Sequence, residues 1–95
     1  MQEVVLREND IYDLAIAQKG ATHQELIAVE ECSELIQAII HKHRGREHNI
    51  AEEIADVEIV LEQLKIINDC EFDVALIKRD KLTRLFHRLV GNEHD

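Results

Sequence analysis

Apolar residues recur along the chain at helical rather than strand spacing, in four stretches punctuated by glycine, asparagine or aspartate. The first stretch predicts a helix from about Val4 to Lys19, with Val4, Ile11, Leu14 and Ala15 forming its stripe and Gly20 ending it. The second begins near Thr22, a candidate N-cap with Glu25 at the capping-box position, and runs to about His43, where Gly45 stops it. The third starts after Asn49, a further N-cap candidate followed by Glu52 at the third position, and continues to about Ile67. The fourth follows Asp69 and extends to about Val90, ahead of Gly91 and Asn92. No linker, repeat or low-complexity tract interrupts this order, so residues 1–95 read as a single all-α domain, bundle-like in architecture.

The second helix is apolar around much of its circumference, through Leu26, Ile27, Val29, Leu35, Ile36, Ile39 and Ile40. A helix wetted on one side needs only a stripe. In so small a chain the second apolar face points to oligomerisation through helices.

Two pairs of carboxylates lie within this apolar pattern: Glu31 with Glu34, and Glu53 with Asp56. Each pair has i, i+3 spacing, which places both side chains on one helix face. On the third helix Glu53 falls among Ile50, Val57, Val60 and Leu64, with Asp56 flanking the same arc, while Glu52, Glu58, Glu62 and Lys65 fall where solvent is expected. On the second helix Glu31 and Glu34 border Ala28, Leu35 and Ala38, whose small alanines leave room. Either pair alone is an ordinary acidic face, and Asp10 with Asp13 repeats the spacing without this context. Two such pairs on the apolar sides of adjacent helices describe a metal site of the kind helical bundles build. All-oxygen ligands favour Mg²⁺, with Mn²⁺ as its substitute, over Zn²⁺.

Composition narrows the remaining choices. Aromatics are 3% of the chain and Trp is absent, so the core is aliphatic, and the absence of Pro argues against a turn-rich β fold. Lys and Arg total 11 against 20 Asp and Glu, a net charge of −9, which disfavours duplex nucleic acid and anionic membranes as partners. MQEVVLREND carries charges where a signal peptide needs an apolar run, and no stretch is apolar enough to span a bilayer, so a cytoplasmic location is expected. Cys32 and Cys70 lack metal-type spacing and read as reduced thiols; Cys32, beside glutamates, is no activated nucleophile. His41, His43 and His48 flank the Gly45 turn as a solvated polar loop. Lys78, Lys81, Arg84 and Arg88 share part of one helix face, which reads as solvated by itself and as a phosphate-binding face if a phosphate ligand is indicated otherwise. No glycine-rich phosphate loop or nucleophile elbow is present.

Glu31-Cys-Ser-Glu34 followed by Glu53-Ile-Ala-Asp56, with the flanks EECSELIQAI and EEIADVEIVLEQL, resembles the paired E-x-x-E and E-x-x-D motifs of the all-α NTP pyrophosphatase superfamily, in particular its MazG-like branch. The likeness covers roughly residues 11 to 90. It implies a MazG fold and Mg²⁺-dependent hydrolysis of a nucleoside triphosphate to a monophosphate and pyrophosphate. By position it gives Glu31, Glu34, Glu53 and Asp56 metal-ligand roles, with Glu34 the choice for general base and Glu31 beside it in the catalytic pair. It makes Gln24 a nucleotide-side residue and Lys78, Lys81 and Arg84 phosphate contacts; Ile27 stands where the family often has Lys. It also implies a homodimer or homotetramer whose sites a neighbouring subunit completes. Phosphoribosyl-ATP pyrophosphohydrolase is a second reading within the superfamily. Outside it stand a catalytically silent helical module that binds a metal or partner, and a purely structural bundle. Tyr12, Phe72 and Phe86 offer no secure stacking partner for a base.

Overall fold

The computed structural model describes residues 7–91. It contains four α-helices: α1 (Glu8–Lys19), α2 (Ala21–His43), α3 (Ile50–Ile67) and α4 (Glu71–Leu89). The expected start of the first helix at Val4 lies outside the described residues. No described helix is long and apolar enough to cross a membrane.

The helix ends follow local chemistry. Gly20 closes α1, its N–H donating to the Ile16 carbonyl, and it also precedes α2 directly, with φ 94° and ψ 150°. That backbone region is open essentially to glycine alone. Thr22 therefore lies inside α2 instead of capping it, because the glycine turns the chain within a single residue. Gly45, at φ 70°, follows the Arg44 C-cap of α2. Asn49 stands at the N-cap of α3 as expected, but its side chain goes to carboxylates rather than to backbone N–H groups. Asp69 takes a left-handed conformation (φ 49°) in the turn before α4, a geometry Asp tolerates better than most residues.

The main packing is α2 against α3, antiparallel across the Arg44–Asn49 connection, with α1 lying over both and α4 touching α3 alone. The seam closes tightly because Ala28 and Ala38 leave only 3% of their surface exposed, while Val57 and Val60 fill the α3 side. In α1 the core residue is Tyr12, while Ile11 and Leu14 are exposed, so the stripe expected there is displaced by one position. α1 meets the body at the α3 face carrying Glu58 and Glu62, and the ring fills that gap while its hydroxyl stays near charge.

The body is thin. Among the described residues no large side chain is fully buried, and α4 has no buried residue. The radius of gyration is 17.5 Å, whereas a compact domain of this length has about 12 Å. Leu26, Val29 and Ile36 of α2 and Phe72, Phe86 and Leu89 of α4 remain exposed.

Gly20→Ala should destabilise the chain by about 1–3 kcal/mol through backbone strain alone, since an added Cβ meets nothing within 4 Å. Urea titration followed by circular dichroism reads this directly, and an unchanged midpoint would contradict the assignment.

Candidate functional site

Glu31 and Glu34 project from the middle of α2, and Glu53 and Asp56 from the first half of α3. Both pairs face the α2–α3 seam because their neighbours on the same arc, Ala28, Ala38, Val57 and Val60, are its buried residues. Antiparallel packing then opposes Glu31 to Asp56 and Glu34 to Glu53, so that each carboxylate meets like charge across the seam. Carboxylate oxygens of Glu31, Glu34 and Glu53 lie within 4.8 Å of one another, and those of Glu52, Glu53 and Asp56 do the same. Glu53 belongs to both groups. The four residues singled out from sequence thus come together.

Exposure grades across the cluster. Glu53 is 5% exposed, Glu31 and Asp56 are half-buried, and Glu34 and Glu52 are open to solvent. The cluster therefore has a closed floor and an open mouth. Asn49 Nδ2 donates to Glu53 Oε1 at 2.8 Å and reaches Glu52 Oε2 at 3.4 Å, tying the cluster to the start of α3. Glu31 Oε2 and Glu53 Oε2 are buried with no hydrogen-bond partner. Buried carboxylate oxygens are ordinarily satisfied, so these two mark a place for a positive group.

Burial raises the pKa of Glu31 above the ordinary glutamate range, and the charges of Glu34, Asp56 and Glu53 raise it further. Burial raises Glu53 as well, Glu34 and Asp56 add to the shift, and the Asn49 hydrogen bond opposes it. Desolvation and like charge thus act together, and both favour the protonated form. A hard divalent cation would reverse that preference. The donor set fits one: every candidate ligand is a carboxylate oxygen, and two buried oxygens have no protein donor.

Other expected site residues lie elsewhere. Gln24 is buried in the α2–α3 interface, its Nε2 donating to Gln63 Oε1 at 2.6 Å and its Oε1 pairing with His23 Nδ1 at 2.9 Å. Lys78 lines a cavity of about 820 Å³ between α1, α3 and α4, with Tyr12, Glu58, Glu62 and Lys65. That cavity uses the α3 face opposite Glu53 and Asp56. Lys78 and Lys81 also border a shallow apolar groove along α4, beside Ile77 and Leu85. Arg84 is exposed, and α4 makes no packing contact with α2. Within one chain, the basic face and the carboxylates are therefore apart. Tyr12 lies by the cavity, where burial first, then Glu8, Glu62 and Glu58, raise its pKa against Lys65.

Glu52 and Gln63 were not singled out from sequence. Glu52 falls off the apolar arc, yet its carboxylate lies with those of Glu53 and Asp56 and shares the Asn49 amide with Glu53. Gln63 could have been found by stepping the antiparallel pairs outward. From Glu31 to Gln24 is seven residues, as is Asp56 to Gln63.

No family model matches the chain, and no match is found among curated proteins or solved structures.

In metal-free buffer Glu53→Gln should melt above the wild-type chain, with the difference growing as pH rises. The sign follows from the raised folded-state pKa: the stability it contributes is fully present below the ordinary carboxylate range and is lost as pH climbs through the raised value. Gln keeps the oxygen that accepts from Asn49 and removes the charge. Thermal melts from pH 4.5 to 8 in chelator check this, and a difference that shrinks with pH would refute it.

Proposed function

We propose that the chain is a Mg²⁺-dependent nucleoside triphosphate pyrophosphohydrolase, cleaving the α–β phosphoanhydride to give a nucleoside monophosphate and pyrophosphate in nucleotide-pool control. The observation that carries this reading is the convergence of Glu31, Glu34, Glu53 and Asp56 across two helices, with two buried oxygens lacking any protein donor. The resemblance of these motifs to the MazG-like branch supplies the reaction. A triphosphate alone would be repelled by such a cluster.

When bound, Mg²⁺ would supply charge neutralisation and polarisation of the attacked phosphoryl group. Glu31, Glu34, Glu53 and Asp56 would hold it, with Glu52 at the mouth as an additional oxygen donor. Glu34, the exposed member, would accept a proton from the attacking water. Water oxygen bonds to the α-phosphorus as the bond to the bridging oxygen breaks, and pyrophosphate leaves in line. Lys78, Lys81 and Arg84 would neutralise the departing pyrophosphate.

Since α4 lies away from the carboxylates of its own chain, the reading includes a homodimer or homotetramer in which α4 of one copy approaches the cluster of another. Five cations against three carboxylates give α4 a net +2 in a chain of net −9, so such an approach is electrostatically favourable. Phosphoribosyl-ATP is an alternative substrate with the same phosphoanhydride. The same separation also favours a second reading, a metal-binding helical module without turnover.

Pyrophosphate release from a panel of canonical and modified nucleoside triphosphates, with phosphoribosyl-ATP included, should require Mg²⁺ and cease in EDTA. Glu34→Gln should lower kcat about a hundredfold or more, and Glu53→Gln should abolish the Mg²⁺ response. Mg²⁺ binding without turnover of any substrate would select the silent module.

Sedimentation should find a dimer or larger species. Leu85→Glu with Leu89→Glu should shift it to monomer and lower activity at least tenfold. A wild-type monomer would exclude the shared site.

A further inference from the structure

Three pairs step along the α2–α3 seam in one register: Gln24 with Gln63, Glu31 with Asp56, and Glu34 with Glu53. The two inner pairs set like charges against each other, and that repulsion favours sliding the helices apart. Between Gln24 and these pairs the α2 side offers Ala28 and the half-buried Ile27 against Val57 and Val60, aliphatic contacts without a directional group. A slide of one turn, about 5.4 Å, would exchange similar aliphatic contacts on α3 while separating the carboxylates. The Gln24–Gln63 bond is different in kind. It is directional, buried and 2.6 Å long. Among the described residues it is the one side-chain hydrogen bond between α2 and α3 whose donor and acceptor are both uncharged amides. One-turn displacement of either helix would leave two buried amides unpaired, desolvated with no replacement partner.

We propose that Gln24 and Gln63 form a register lock, positioning residues that hold α2 and α3 where Glu31, Glu34, Glu53 and Asp56 converge. Gln24 then serves the site from a distance, through the helix seam. A single buried polar pair that fixes register at some expense of stability is an established device of helical interfaces. His23 Nδ1 lies 2.9 Å from Gln24 Oε1, while the amide nitrogen of Gln24 meets Gln63.

The lock rests on the metal-site reading only for its consequence on cation binding; the register itself is measured separately. Nitroxides at the exposed positions Gln37 and Ala51, with Cys32 and Cys70 replaced by Ala, report the seam by dipolar broadening in samples diluted with unlabelled chain. Mn²⁺ affinity is read by electron paramagnetic resonance of the free ion. Gln24→Leu with Gln63→Leu replaces the lock by an apolar layer of similar size. The expected result is an unchanged or raised melting temperature, a broadened label distance and Mn²⁺ affinity at least tenfold lower. Gln63→Glu retains the acceptor for Gln24 Nε2 and should keep the wild-type distance and hold affinity within about threefold. A purely structural role would lower the melting temperature and leave distance and affinity unchanged, and that result overturns the proposal. An unchanged label distance in the Leu pair overturns it too, whatever the melting temperature. Should the wild-type chain bind no Mn²⁺, the metal reading fails, and the label distance still decides the register lock.

Discussion

The packing of α2 on α3 brings four carboxylates to one seam, and the rest of the structure depends on how that repulsion is contained. Small residues allow the approach: Ala28 and Ala38 bring the α2 backbone close to Val57 and Val60. The same closeness desolvates Glu53 and half-buries Glu31. Attraction and repulsion thus share one interface, and the apolar contacts alone do not distinguish the observed register from a neighbouring one. Directional groups must do so. The seam holds them at two levels, Gln24 with Gln63 across the helices, and Asn49 on Glu53 at the start of α3.

Around this pair the molecule buries little. Among the described residues the largest core side chain is Tyr12, and the other buried apolar residues are Ala and Val. Most Leu and Ile of α2 and α4, residues that would contribute most on burial, stand exposed, with Ile27, Leu35 and Leu76 half-buried. A chain with a thin core and a charge-strained seam has a small margin of stability. Two remedies act on different parts. On the proposed reading, a bound cation would relieve the seam by neutralising Glu31 and Glu53, and a second copy would cover the apolar faces. Each would stabilise only the folded form, so their contributions would combine through mass action.

Much of this was legible in the sequence, for physical reasons. Glycine at positive φ stops helices wherever it falls, so Gly20 and Gly45 marked the ends correctly, and Asn49 marked the start of α3. The carboxylate seam was legible because i, i+3 spacing beside small or apolar neighbours fixes a face. Thr22 misled because a capping-box pattern names a candidate, while Gly20 had already turned the chain. Ile11 and Leu14 misled because hydropathy ranks them above Tyr12, whereas the space between α1 and α3 suits a long ring ending near charge. Gln63 was missed because a lone glutamine signals nothing until the antiparallel pairing of Glu31 with Asp56 is stepped outward to Gln24. The position of α4 was illegible for the same reason: amphipathicity declares a face, never what covers it.

The separation of charge within one chain bears most directly on function. Carboxylates cluster on α2 and α3, and cations gather on α4, which touches α3 alone. A reaction on a polyphosphate needs both, the first to hold a cation and the second to meet the leaving charge. On the proposed reading, neither half suffices within a single copy. The uncovered apolar stripe of α4 then has a consequence beyond stability, because the contact that covers it also sets where Lys81 and Arg84 stand. Assembly and chemistry would be coupled through one helix, so that activity depends on chain concentration wherever the oligomer dissociates. The silent-module reading carries no such coupling, since its cation sites are complete in α2 and α3, and that difference separates the two readings on physical rather than historical grounds.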